Sequence, residues 1–282
     1  MGMPFDVSKC LVYNEVKIDI VPQNGISVVQ MNGISADRCT TCSGMMHITT
    51  VDEKGYRRVQ PCPGAMRMHC IDLYNQAKVP ARYAGATFES FNAYTPQLDA
   101  IVGELKSSMA RFRPGMKGRA FVGPPGTGKT HLMSAIIRKL TLEQGIPCRY
   151  VEFSHMISEI RSLYNENQSD TRFLGHLSTV PVLFIDELGK GKCNEFELRI
   201  IDELTSKRYN DPSLSTFFAS NYRPASMLGN TYNPGMIQDK SYQTMDSLES
   251  RVGDRVASRI FEICDFVPLV GRDYRQQFQN RR

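Results

Sequence analysis

The run Gly123-Pro124-Pro125-Gly126-Thr127-Gly128-Lys129-Thr130 has the plainest chemistry in this chain. Its G-x-x-x-x-G-K-T spacing lets backbone N–H groups turn inward around phosphate oxygens, and a helix opening at its end adds partial positive charge. Lys129 is expected to reach the outer phosphates of ATP and the Thr130 hydroxyl to hold Mg²⁺; His131, next in the chain, counts among the nucleotide-binding residues. Fifty-seven residues after Lys129, the apolar run Val182-Leu183-Phe184-Ile185 ends in Asp186-Glu187. Two carboxylates at the C-terminal end of a buried strand sit where open α/β sheets bind ligands. Asp186 is expected to hold the metal, directly or through water, and Glu187 to act as general base on the attacking water. Phe217-Phe218-Ala219-Ser220 likewise ends in Asn221. Asn221 is expected to hydrogen-bond that water or the γ-phosphate; the plainer alternative is an Asn that starts a turn.

Two further clusters stand out. Arg251, Arg255 and Arg259 are spaced i, i+4, i+8, which lines one helix face. Three guanidinium groups so placed repel one another unless they meet anions, and the γ-phosphate of a neighbouring subunit would satisfy them. A solvated face paired with Glu249, Asp254 and Glu262 is the plainer alternative. Cys39-Thr40-Thr41-Cys42-Ser43-Gly44 has the form of a zinc knuckle, and Cys62 follows after a hairpin pattern. Cys70 is expected to complete a structural four-cysteine zinc site, with His69 as the alternative ligand and scattered free thiols as the plainer reading. Cys148 and Cys264 fall in strand patterns and read as buried small hydrophobes.

These residues need elements to hold them. Val16–Val21 and Ile26–Gln30 flank Asn24-Gly25, and Met46–Val51 and Tyr56–Gln60 flank a second turn, so both pairs read as hairpins. Met66–Lys78 reads as a helix stopped by Pro80, and 81–94 as a turn-rich linker. From residue 95 helices alternate with apolar strands: helices at 96–112, 130–143, 156–165, 195–209 and 246–260, strands at 120–122, 148–153, 181–185, 215–219 and 263–269. That alternation predicts a parallel sheet with helices on both faces. The expected division is a small β-rich zinc-binding domain at 1–80 and an α/β domain at 81–282.

Composition narrows the classes. The 282 residues are 41% hydrophobic and 22% charged, which excludes wholesale disorder. No apolar run approaches a bilayer span and no basic segment leads into an apolar one at the start, so neither a membrane anchor nor a signal peptide is expected. The expected location is therefore reducing and cytoplasmic, where clustered Cys more often bind metal than form disulfides. The net charge of +5 is mild, yet residues 105–142 hold eight basic residues (Lys106, Arg111, Arg113, Lys117, Arg119, Lys129, Arg138, Lys139) and no acidic one. Part of that segment serves nucleotide phosphate, and the rest is a candidate DNA-facing stretch. Arg161, Tyr164 as a stacking ring, and Lys190 with Lys192 are further DNA candidates; solvated faces are the plainer reading of each.

The chain resembles the AAA+ ATPases and, more narrowly, the bacterial replicative-helicase loaders of the DnaC/DnaI type and the related IstB transposition helpers. The resemblance rests on Val79-Pro80-Ala81-Arg82-Tyr83, Ala86-Thr87-Phe88-Glu89-Ser90-Phe91, the 123–130 loop, Asp186-Glu187, Ala219-Ser220-Asn221 and Asp254-Arg255-Val256-Ala257-Ser258-Arg259, over roughly 79–275. It implies that Lys129 and Thr130 are Walker A residues, Asp186 and Glu187 Walker B, Asn221 sensor 1, and Arg255 and Arg259 arginines acting across a subunit boundary. It also implies assembly into a ring or spiral, binding of single-stranded DNA, and docking on a DnaB-type hexameric helicase through residues 1–80. The host would be a bacterial cell, or the protein that of a bacteriophage. Twelve residues follow Val270, too few for a C-terminal helical lid, so the expectation is a lidless core whose nucleotide pocket a neighbouring protomer completes. An IstB-like helper that assembles on duplex DNA and recruits a transposase is the alternative.

Overall fold

The computed structural model describes residues 18–31, 42, 45, 47–165, 171–191, 193–228, 246–271, 273 and 274. The chain groups into two compact units: the described part of 1–90 with Ser134–Cys148, and the described part of Phe91–Met133 with Arg149–Arg282. The sequence reading places a single boundary between 80 and 81.

The first unit opens with β1 (Ile18–Gln23) and β2 (Ile26–Met31), paired antiparallel about Asn24-Gly25. Both turn residues have positive φ, as a tight two-residue hairpin turn demands. A second hairpin joins β3 (His47–Val51) to β4 (Arg57–Pro61), its turn closed by Asp52 Oδ1 accepting from the Lys54 and Tyr56 amides at 3.0 Å. Helix α1 (Pro63–Ala77) starts on proline, whose missing N–H costs nothing in a first turn. Cys70, Leu73, Tyr74 and Ala77 recur at i, i+3, i+4 and i+7 and are all buried, so one helical stripe faces the core. The helix packs on a π-helical stretch, Lys139–Glu143, and Asn75 Oδ1 accepts from the Val29 amide at 2.8 Å.

The second unit holds a five-stranded sheet. Its strands are β5 (Gly118–Val122), β6 (Cys148–Glu152), β7 (Val182–Asp186), β8 (Ser215–Ser220) and β9 (Cys264–Pro268), in the order β6-β7-β8-β5-β9. The β5–β8, β5–β9 and β7–β8 pairs are parallel. Every residue of β7 and β8 is buried, which requires cover on both faces and explains why those runs read as continuous rather than alternating hydrophobics. Phe184 and Phe217 stack across these strands with centroids 4.6 Å apart. Arg208 is buried in the same core, yet its guanidinium donates to the carbonyls of Leu177, Val180 and Ser215 and to Thr216 Oγ1 at 2.7–2.9 Å. Burial lowers its pKa to about 10, still high enough to stay charged at neutral pH.

The helices are α2 (Pro96–Ala110), α3 (Lys129–Arg138), α4 (Phe153–Asn165), α5 (Thr171–Thr179), α6 (Glu195–Tyr209), α7 (Ala225–Leu228), α8 (Leu248–Val252) and α9 (Asp254–Ile263). Thr95 and Asn194 cap α2 and α6, each side chain accepting from the amide three residues on. Two outcomes differ from expectation. Helices α5 and α7 were not foreseen, and the single helix expected over 246–260 is two, broken at Gly253, whose φ of 83 no continuing helix accommodates. No helix among the described residues is long and apolar enough to cross a membrane.

Candidate functional site

The phosphate loop joins β5, an interior strand between β8 and β9, to α3. Gly123 has φ 148, and a Cβ there would stand 2.0 Å from Leu269 O. Gly128 has φ 92, and a Cβ would stand 2.4 Å from the Phe91 ring. Neither position tolerates a side chain, which is why both are glycine. Thr127 Oγ1 donates to Pro124 O at 2.9 Å, and the buried Lys129 ammonium donates to the carbonyls of Gly123 (2.7 Å) and Pro124 (2.6 Å). An ammonium folded onto its own loop suits a cradle whose natural occupant is anionic. His131 meets Phe91 edge to face, centroids 5.5 Å apart.

Strand β7 delivers the acidic pair beside this loop. Thr130 Oγ1 donates to Asp186 Oδ2 at 2.6 Å, and Tyr150 of β6 donates to the same oxygen at 2.9 Å. Burial pushes the Asp186 carboxyl above its usual range, and the two hydroxyls only partly offset this. A buried carboxylate in contact with a Walker-type hydroxyl is the donor set a hard divalent cation takes, together with water and nucleotide oxygens. The residues present therefore fit Mg²⁺·ATP. Glu187 follows in left-handed backbone (φ 54), its amide donating to Asp186 Oδ1. Its carboxylate is bonded by Lys190, whose ammonium also lies 3.5 Å from Glu152. Burial raises the Glu152 carboxyl and its hydrogen bond with Glu187 adds to this, so the two carboxyls share an excess of negative charge that Lys190 balances. Asn221 directly follows β8, half-buried, next to Ser220, whose hydroxyl donates to Leu188 O at 2.8 Å.

Sequence reasoning missed Tyr150, Glu152 and Phe91 as neighbours of these groups. Nothing in the spacing of a tyrosine in the middle of a strand marks it as a hydroxyl donor to a residue on another strand.

The arginines separate. Arg251 lies on α8 and not on the face of α9, because Gly253 breaks the helix between them; the expected stripe of three is corrected to two. Arg259 is largely covered, its guanidinium 3.0 Å from Asp202. Arg255 reaches the same carboxylate at only 3.6 Å and keeps 73% of its side chain exposed. The basic segment is also partly spent. Arg119 pairs with Asp265 at 2.8 Å and Lys139 with Glu143 at 2.7 Å; beyond that segment, Arg161 lies 4.0 Å from Glu197 and over the Phe196 ring. Lys192 and the Tyr164 side chain lie outside the described residues.

The expected zinc set does not assemble as four cysteines. Cys42 and Cys62 are buried together, with Ile48 against them, and Cys39 lies outside the described residues. Cys70 is corrected: it sits eight residues along α1 from Cys62, about 12 Å at 1.5 Å per residue, too far to share an ion with sulfur ligands at about 2.3 Å. It faces the core of its own unit, its sulfur 3.6 Å from where a Gly145 Cβ would lie. His69 is exposed on the same helix, seven residues from Cys62, which at about 1.5 Å per residue is also too far. Among the described residues no three His, Cys, Asp or Glu side chains converge to hold a metal.

Comparison with known proteins gives a consistent picture. The family model described as IstB-like ATP binding protein matches residues 65–223, more than half of the chain. The chain is 32% identical over 146 residues to the replicative helicase loader DnaC of Buchnera aphidicola (subspecies Baizongia pistaciae), covering 51% of this chain and 58% of that protein. It is 24% identical over 197 residues to DnaC of Escherichia coli, covering 70% of each. The crystal structure of a DnaC helicase loader superposes with a TM-score of 0.56 at 27% identity, covering 67% of this chain and 99% of that one. The crystal structure of DnaI, at 20% identity and TM-score 0.51, shares the fold over 69% of this chain and 93% of its own.

Proposed function

We propose that this chain, a P-loop ATPase that belongs to the IstB-like ATP-binding family, acts as an ATP-dependent loader of a hexameric replicative helicase onto single-stranded DNA. The similarity to DnaC loaders, in sequence and in fold, carries the loader half of the reading. The Thr130–Asp186 contact across the phosphate loop carries the ATPase half. Bound Mg²⁺ supplies charge for the β- and γ-phosphates. Lys129 leaves its loop carbonyls to meet the triphosphate, Thr130 and Asp186 hold the metal, Glu187 takes the proton of the attacking water, and Asn221 orients that water. Arg255, exposed on α9, is offered to the γ-phosphate held by the next subunit of a ring or spiral, and Arg259 braces it through the shared Asp202. Turnover in a lone subunit is then slow, and activity rises with protein concentration.

In the N-terminal unit, Cys39, Cys42 and Cys62 are proposed to hold zinc. That unit is the candidate surface for the helicase. Single-stranded DNA is assigned to the ATPase unit, with binding that weakens steeply as salt rises.

The test is capture of a DnaB-type helicase by the full chain, with ATP hydrolysis measured with and without single-stranded DNA. Lys129→Ala is expected to abolish ATP binding and hydrolysis; retention of both would end the ATPase reading. The family match also supports a second reading, a transposition helper on duplex DNA. Tighter binding to duplex than to single strands, with capture of a transposase, would favour it.

A further inference from the structure

Three parts of the ATPase site meet at a residue that belongs to none of them. Arg251 lies in the short helix α8. Its Nε donates to Gly189 O at 3.0 Å, one terminal nitrogen donates to Gly191 O, and the other stands 3.5 Å from Asp246. The guanidinium lies over the Tyr222 ring, 4.8 Å from its centroid. The packing is close. Gly189 has φ 81, and a Cβ on it would stand 3.0 Å from Arg251 Cβ and 3.3 Å from Tyr222 Cδ2. Gly189 and Gly191 belong to the loop that leaves β7 directly after Glu187. Tyr222 follows Asn221. Two residues after Arg251 the chain turns at Gly253 into α9, which carries Arg255.

A guanidinium is suited to this junction because its planar fork donates to two carbonyls while its face stacks on an aromatic ring. The loop after Glu187 cannot shift relative to α8 without losing two hydrogen bonds, and the segment after Asn221 cannot shift relative to α8 without losing the stacked ring. The loop is also tied to β8, since Leu188 N–H donates to Ala219 O at 2.8 Å and Ser220 Oγ to Leu188 O at 2.8 Å. Tyr222 N–H in turn donates to Ser220 Oγ. Glu187, Asn221 and α9 are thus held in one hydrogen-bonded frame with Arg251 as the tie to the arginine-bearing helix.

We propose that Arg251 is a positioning residue that couples the hydrolysis site of its own subunit to the presentation of Arg255 to a neighbour. The proposal rests on the reading above in which Arg255 acts across the subunit boundary, and subunit mixing separates the two. Arg255→Ala subunits keep an intact site but offer no arginine. Lys129→Ala subunits offer the arginine but have no working site. Mixed, the two are expected to hydrolyse ATP at least about tenfold faster than either alone, a modest share of what a trans arginine supplies.

The donor is then replaced by the Lys129→Ala/Arg251→Ala double variant, whose Arg255 is untouched. It is expected to restore less than a tenth of that gain. Arg251→Lys in the same donor is expected to stay impaired, because an ammonium cannot bridge two carbonyls and stack at once. In an otherwise intact chain, Arg251→Ala is expected to lower kcat about tenfold while leaving nucleotide Kd within twofold, a split that general unfolding would not give. Where the alanine variant does not fold, Arg251→Gln, which keeps a donor and most of the length, takes its place. Full restoration by the double-variant donor would overturn the coupling while leaving the trans arginine standing. No restoration by the Lys129→Ala donor would overturn both.

Discussion

Strands β7 and β8 are buried at every residue, whereas β4 is exposed at every residue and β3 at alternate ones. Both regions are rich in β-branched and aromatic residues, but they use them oppositely. In the sheet the apolar run is the core, so the polar residues that end it, Asp186-Glu187 and Asn221, are forced to the edge where the chain leaves the core. Their placement is a consequence of the burial. In the hairpin, Val51, Tyr56 and Val59 keep 65%, 68% and 69% of their surface, so they build no core among the described residues. The ATPase unit brings its phosphate loop and acidic pair together through burial, whereas the hairpin region offers a buried cysteine pair and exposed surface.

The sharpest way to break this contrast is a pair of truncations. Phe217→Ala removes a wholly buried ring stacked on Phe184 and is expected to cost about 3–5 kcal/mol. Val59→Ala on the exposed strand is expected to stay within about 0.5 kcal/mol. Denaturant melts of the two variants check this, and comparable losses would mean that the hairpin face is covered within the subunit.

A second effect concerns function alone. Gly128→Ala places a methyl against the Phe91 ring at a residue with φ 92. ATP affinity is expected to fall at least about tenfold by titration with a fluorescent nucleotide, with folding largely retained. Gly128→Ala/Phe91→Ala relieves the clash but not the backbone strain, so recovery is expected to be partial. Complete recovery would show that the ring contact alone selects glycine there.

Much of the ATPase unit was legible because its signals are local. The phosphate loop is a contiguous run, and each apolar strand announces its own end. Strand and helix positions agree to within a few residues, and the strand–loop–helix context of Lys129 follows from them. What escaped was non-local. Tyr150 reaches Asp186 across 36 positions and Arg251 reaches Gly189 across 62, and no periodicity records such pairs. Gly253 is visible in the sequence, but the i, i+4, i+8 arginine spacing is helical on both sides of it and hides the break. Cys70 is ambiguous in the sequence for a related reason. Cysteine is both a ligand and a small core residue, and only the buried stripe of α1 shows which role it has here.

The next effect sharpens the catalytic side through pH. Burial raises the Asp186 carboxyl above its usual range, so the folded chain holds that proton more tightly than the unfolded one. This contribution favours folding below the ordinary Asp range and is lost as pH rises through the raised folded value. Mg²⁺ takes the ionised form. The gain in Tm from Mg²⁺·ATP is therefore expected to grow with pH through that window and to flatten in Asp186→Asn. A gain independent of pH would mean that the metal does not rest on this carboxylate.

The smallest expected effect bears on the hairpin side. Cys70→Ala trims one buried sulfur from the α1 stripe, so a loss of about 1 kcal/mol or less is expected, below the usual cost of larger truncations. The zinc content of the full chain, measured by elemental analysis, is expected to stay unchanged. If the proposed zinc is bound, Cys62→Ser is expected to remove it, because the Cys62 sulfur is buried beside Cys42. Equal loss from both variants would return Cys70 to the ligand set against the helical spacing. Zinc absent from the unaltered chain would make Cys42 and Cys62 a packing pair, and the difference between the two regions would then lie in surface alone.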